Sequence, residues 1–194
     1  MSLDILIGPM FAGKSSRIAD IVSRYEALGK RVLLVKPTLD DRYDANESIH
    51  VTHGKRKTDC ISVNDLDDIP RIMIESCDVL LVDEAQFFKH LVPFCEWVVD
   101  THHKRLYLVG LDGDSNRRPF GEILQCIPLA DRVEKLRAFC KACADGTPGL
   151  FSSRKANAPT EHVTIGGADL YETLCRTCYL HSNGMVAEAH NRRA

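Results

Sequence analysis

Apolar positions along the chain change their period in a regular way. Leu3 to Ile7 is a short apolar run, with Asp4 inside it, that ends at Gly8. Such a run predicts a buried strand of a parallel sheet. From Lys14 the spacing becomes helical: Ile18, Ile21, Val22, Tyr25 and Leu28 share one face, and Gly29 stands where a left-handed cap belongs. Val32 to Val35 predicts a second strand, stopped by Pro37. Thr38 to Lys57 is polar and turn-rich and reads as a loop or hairpin. Helical spacing returns over Asn64 to Ser76, with Pro70 marking an early turn. Val79 to Val82 is a third apolar run and leads into Asp83-Glu84. Phe87, Leu91, Phe94 and Val98 predict helix to about Thr101, with Pro93 in its first turn. Leu106 to Val109 is a further strand, opening into a loop from Asp112 to Gly121. Strands alternating with helices at this spacing imply βαβ units, and so a parallel sheet covered on both faces.

Past Val133 the texture shifts to short strands, turn residues and paired cysteines. The expected organisation is therefore a domain over 1–135 and a small module with a tail over 136–194. At 194 residues, 44% hydrophobic and 27% charged, the chain has ample material for a core. Basic and acidic residues nearly cancel, for a net charge of −2, and no basic stripe is sustained. That argues against a nucleic-acid partner. No run reaches the ~18 apolar residues of a membrane span. The N-terminus has no basic region before its apolar run, so no signal peptide is expected, and an intracellular location is.

Two motifs carry chemistry. Gly8-Pro9-Met10-Phe11-Ala12-Gly13-Lys14-Ser15 follows the pattern Gly, four residues, Gly-Lys-Ser, between a predicted strand and a predicted helix. Backbone N–H groups at a helix N-terminus point at an anion there. Lys14 supplies charge to the β/γ oxygens of a nucleoside triphosphate, and the Ser15 hydroxyl can ligate Mg²⁺. The fold class is accordingly α/β of the P-loop type. Asp83, at a strand terminus, is the expected acidic partner on the metal side. Glu84 has the chemistry of a general base for a hydroxyl or water nucleophile.

Cys140-Lys141-Ala142-Cys143 and Cys175-Arg176-Thr177-Cys178 are two knuckles separated by 31 residues. Four thiolates in a tetrahedron suit Zn²⁺ and leave no position for water, which makes the site structural. A redox dithiol is the alternative. A long loop, Ala144 to Thr164, is expected to hang between the knuckles, and loops of that length are often lids. Cys60, Cys77, Cys95 and Cys126 are expected to be small buried hydrophobes.

The phosphate loop, Asp83-Glu84-Ala85-Gln86-Phe87-Phe88, Arg118-Pro119-Phe120-Gly121, Ile165-Gly166-Gly167-Ala168-Asp169-Leu170-Tyr171 and the cysteine pairs together resemble the type II thymidine kinases, over residues 3 to about 180. The resemblance implies an ATP- and Mg²⁺-dependent kinase that phosphorylates thymidine and deoxyuridine on the 5′-hydroxyl. It also implies a zinc-ribbon "lasso" module, a homotetramer and a cytoplasmic location. Glu84 then matches the catalytic base, and Gln86 falls on the nucleotide side. Asp40, Asp41 and Arg42 match a segment near the phosphates. Met10 and Leu111 match a pocket for the thymine methyl, and Phe87 and Phe120 match aromatics around the base. Tyr171 matches a ring along the deoxyribose. His162, Val163, Thr164, Ile165 and Gly166 match main chain that closes over the nucleoside. Ser115 stands where many members carry an aromatic residue, so one stacking partner for the base is expected to be missing. Two other readings stand beside it on the residues alone: an NTPase motor or switch in which Glu84 activates water, and a zinc-ribbon nucleic-acid-binding module, with the balanced charge against both as nucleic-acid binders.

Overall fold

The computed structural model describes residues 1–38, 59–155 and 169–185. Six strands form one sheet: β1 (Ser2–Ile7), β2 (Val32–Pro37), β3 (Asp59–Val63), β4 (Val79–Val82), β5 (Arg105–Gly110) and β6 (Arg132–Lys135). Their order is β3-β2-β4-β5-β1-β6, and every pairing is parallel. β5 thus lies between β1 and β4, and the segments leaving these three strands emerge together at their carboxyl ends. Open parallel sheets bind ligands at that edge.

Leu33, Leu34, Leu80, Leu81 and Val82 are at most 2% exposed, because side chains leaving both faces of the sheet are covered. Leu6, Leu34, Leu81 and Val109 pack on Ile18, Ile21 and Val22 of α1 (Lys14–Ala27). Gly29 takes the left-handed φ of 72° expected of the cap. Leu3, Ile5, Leu80, Leu106 and Leu108 face the opposite layer, with Ile74 of α2 (Arg71–Ser76) and Leu91 and Phe94 of α3 (Leu91–Cys95).

Two helical expectations are corrected. Asn64–Ser76 is a 3₁₀ turn at Leu66–Asp68 and then α2, with Pro70 capping the second piece. Proline has no N–H to continue a ladder but suits a helix start. The segment from Phe87 begins as a 3₁₀ turn over Ala85–Phe87, breaks at Phe88–His90 and resumes as α3. It then widens into a π-helical stretch, Glu96–Thr101, where His102 N–H donates to the Trp97 carbonyl at 3.1 Å. Cys77, Cys95 and Cys126 are buried as expected, but Cys60 is exposed, because β3 is an edge strand with a partner on one side only.

Beyond Lys135 the architecture changes to two-stranded antiparallel pairs: β7 (Ala138–Phe139) with β8 (Pro148–Gly149), and β9 (Phe151–Arg154) with β10 (Tyr171–Leu174). α4 (Arg176–Ser182) follows. The segment from Ala144, expected as one hanging loop, is therefore strand in β8 and β9, paired across to Phe139 and Leu174. Among the described residues no helix is long and apolar enough to cross a membrane.

Candidate active site and cysteine cluster

The loop from Gly8 to Ser15 leaves β1 and enters α1, with Gly13 in a left-handed conformation (φ 80°) as the helix N-cap. Lys14 is 9% exposed, and its Nζ donates to the carbonyls of Pro9 at 2.9 Å and Gly8 at 3.4 Å. The ammonium is thereby folded back over the loop whose N–H groups would face phosphate. Ser15 is exposed at the first turn of α1, as is Phe11 in the loop before it.

Asp83 follows the last residue of β4 and is buried. Its Oδ1 accepts from Glu84 N–H at 2.9 Å. Burial, and next the negative charge of Glu84, push its pKa up to about 6, against the pull of Lys36 and Lys14. A carboxylate so costly to ionise suits a neighbouring cation, and the Ser15 and Asp83 oxygens are the hard donors Mg²⁺ takes.

Because β4 ends at Val82, the strand rule that would send Asp83 and Glu84 to opposite faces no longer applies. Glu84 adopts a left-handed conformation (φ 48°, ψ 41°) and caps the 3₁₀ turn. Its Oε2 accepts from Gln86 Nε2 at 2.6 Å, and Gln86 Oε1 in turn accepts from Leu111 N–H at 2.9 Å. Gln86, expected on the nucleotide side, thus has both ends of its amide engaged within the protein. Phe87 and Phe120, both expected around a base, meet edge to face with centroids 5.4 Å apart.

Several contacts tie this cleft to the C-terminal module, and local sequence pattern holds no signal for them. Ser152 and Thr173 are cross-strand partners in β9 and β10. Ser152 Oγ accepts from Met10 N–H at 2.9 Å, and Thr173 Oγ1 donates to the Met10 carbonyl at 2.8 Å. Tyr171, two residues before Thr173 on the same face of β10, lies under the Arg154 guanidinium at 5.9 Å. Ser115 is held through its carbonyl, which accepts from the buried Tyr179 hydroxyl at 2.6 Å. Asp40, Asp41, Arg42 and His162, Val163, Thr164, Ile165 and Gly166 lie outside the described residues.

The four paired cysteines converge, with all Sγ atoms within 4.8 Å of one another. Cys143 Sγ is 3.6 Å from Cys178 Sγ and 3.9 Å from Cys175 Sγ. A tetrahedral site with Zn–S of about 2.3 Å has edges of about 3.8 Å, so the donors fit. Burial opposes ionisation of Cys140, but N–H groups of Cys175, Cys143 and Ala142 aimed at its sulfur bring its pKa down to about 6.

The family model described as thymidine kinase matches residues 1–179. The chain belongs to the thymidine kinase family. Thymidine kinase a of Arabidopsis thaliana is 38% identical over 98% of this chain and 79% of its own length. The thymidine kinase of Myxoma virus (strain Lausanne) is 39% identical over 91% of this chain and 95% of its own. That of rice, Oryza sativa subsp. japonica, is 39% identical over 96% and 69%. A solved structure, the RuvB Holliday junction branch migration motor of Thermotoga maritima, aligns with TM-score 0.41 and 15% identity. It covers 72% of this chain and 39% of its own, too slight a likeness to argue from. The family match spans both the phosphate loop and Tyr179, so it takes in the cleft and the cysteine cluster together.

Proposed function

We propose that this member of the thymidine kinase family transfers the γ-phosphoryl group of ATP to the 5′-hydroxyl of thymidine, with Glu84 as general base. The observation that carries the reading is the position of Glu84. It follows the buried Asp83 at the end of β4 and precedes by three residues Phe87, which pairs with Phe120, a place that suits a base acting between the proposed triphosphate and nucleoside sites. Glu84 takes the 5′-hydroxyl proton as that oxygen bonds to the γ-phosphorus and the bond to the β–γ bridging oxygen breaks, giving ADP and thymidine 5′-monophosphate. Lys14 and the N–H groups of residues 8–15 hold the triphosphate and stabilise its charge, which is most of what phosphoryl transfer asks of a protein. A Mg²⁺ ion held by Ser15 and Asp83 would supply further charge neutralisation.

Family likeness supports the remaining assignments. Asp40, Asp41 and Arg42 serve the phosphates, and His162 to Gly166 close over the nucleoside with Met10, Leu111, Ser115 and Tyr171. Deoxyuridine is accepted as well as thymidine, residues 1–135 and 136–194 act as kinase and lasso units, and the assembly is a cytoplasmic homotetramer. Cys140, Cys143, Cys175 and Cys178 hold a structural zinc ion.

The test is ADP release with ATP alone, with thymidine and with deoxycytidine, for the wild type and Glu84→Gln. Release should require thymidine. The variant should keep ATP binding and lose turnover by ~10²–10⁴-fold, the usual worth of a general base. Hydrolysis of ATP without nucleoside, or a Gln variant with full turnover, would overturn the reading.

A further inference from the structure

Gln86 is 3% exposed and has a fixed orientation. The Leu111 N–H can only donate, so the oxygen end of the amide must face it, and the NH₂ end must face the Glu84 carboxylate. Two glycines leave room for this residue, one beside its side chain and one beside its backbone. A Cβ on Gly110 would collide with Gln86 Oε1 and lie 3.1 Å from Ile123 Cδ1. A Cβ on Gly121, whose φ is +61°, would run into the Gln86 carbonyl. Glu84 sits at a left-handed backbone position, and the 2.6 Å bond from Gln86 fixes one of its carboxylate oxygens, Oε2, against a buried amide.

We propose that Gln86 is a positioning residue acting through Glu84. Anchored to β5 at Leu111, it holds the carboxylate where the 5′-hydroxyl arrives. The inference rests on Glu84 being the base. Gln86 transfers no proton in this role; its bond helps to fix the orientation of the group that does the chemistry.

Two substitutions separate this role from a structural one. Gln86→Glu keeps an acceptor for Leu111 N–H but turns an acceptor toward Glu84. Gln86→Met, of similar length, removes both bonds. If Gln86 only supports Leu111, the Glu variant rescues what the Met variant loses. If it positions Glu84, both lower kcat, by about 10–100-fold given the cost of misplacing a reacting group, with KM for ATP unchanged. In a Glu84→Gln background neither should cause a further loss. Thermal melting in the presence of ATP reports on folding, and should one variant fail to fold, the other is carried through the same cycle. A Gln86→Glu protein with full kcat, or equal losses with and without Glu84, would overturn the inference and leave Glu84 standing. A fully active Glu84→Gln protein would instead overturn the parent reading.

Discussion

The sheet and the cysteine module are held together by different physics. In the sheet, strands such as β4 bury every side chain on two faces, with Ile18 and Val22 of α1 on one side and Ile74, Leu91 and Val98 on the other. At roughly 25 cal/mol per Å² of apolar surface removed from water, such layers hold themselves. Among the described residues of the module the buried cluster is Cys140, Leu174 and Tyr179, with Phe151 and three further cysteines packed against it. Arginines complete it: the Arg117 guanidinium lies 4.7 Å from the Tyr179 ring, and that of Arg176 lies 5.0 Å from Phe151. Beside so small a described core, the zinc proposed at the four cysteines would add a large share of the stability. Yet the module with the weaker core holds Met10 and Ser115, while the sheet supplies Asp83 and Glu84. The cleft depends on both.

The sharpest way to break this contrast is to remove the proposed zinc. Structural zinc contributes about 10–16 kcal/mol in zinc-finger peptides, so a chelator or Cys175→Ser should unfold the module. Kinase turnover should vanish while far-UV circular dichroism retains the signature of the sheet. Metal analysis of untreated protein should give about one zinc per chain, the ratio of one four-thiolate site. Full activity after complete metal removal would refute the dependence. The converse experiment is Leu81→Ala, at a fully buried position in β4. A cavity there costs ~2–5 kcal/mol, read as a lower denaturant midpoint for the whole chain with zinc content unchanged. The smallest and most specific change is Tyr179→Phe. It keeps the ring under Arg117 and removes the hydroxyl, with its bond to the Ser115 carbonyl and its contact with the Arg117 guanidinium. A loss of about 1 kcal/mol, or ~2–4 °C in Tm, is expected, with a several-fold higher KM for thymidine. An unchanged KM would mean that the Ser115 loop does not depend on the module.

What could be read from the chain follows the same divide. β1, β2, β4 and β5 are legible because a strand covered on both faces is a nearly continuous apolar run, interrupted in β1 only by Asp4. β6 is not: Arg132, Val133, Glu134 and Lys135 are mostly exposed, and the strand exists because β1 offers a free edge. β3 was hidden for the same reason. Helix boundaries failed where a proline or a left-handed residue, such as His90 (φ 58°), cut a continuous apolar period. In the site, Asp83, Glu84 and the phosphate loop were legible as motifs. The amide bridge through Gln86 was not, because it depends on a backbone turn at Glu84 that strand spacing does not describe. Ser152, Thr173 and Tyr179 carried no signal at all, since Met10 and Thr173 are 163 positions apart.

One close contact limits how far the phosphate loop can be treated as a portable part. Leu136 N–H donates to the Ile7 carbonyl at 2.8 Å, and the Leu136 carbonyl lies where a Cβ on Gly8 would be, at 2.7 Å. The first glycine of the loop is thus shaped by the chain that leaves β6 for the cysteine module, as well as by any phosphate. Residues 8–15 transplanted onto another parallel sheet would arrive without Leu136, and with nothing to grip Met10. A chimera meant to keep this cradle must therefore carry the strand after it in space, not only the helix after it in sequence.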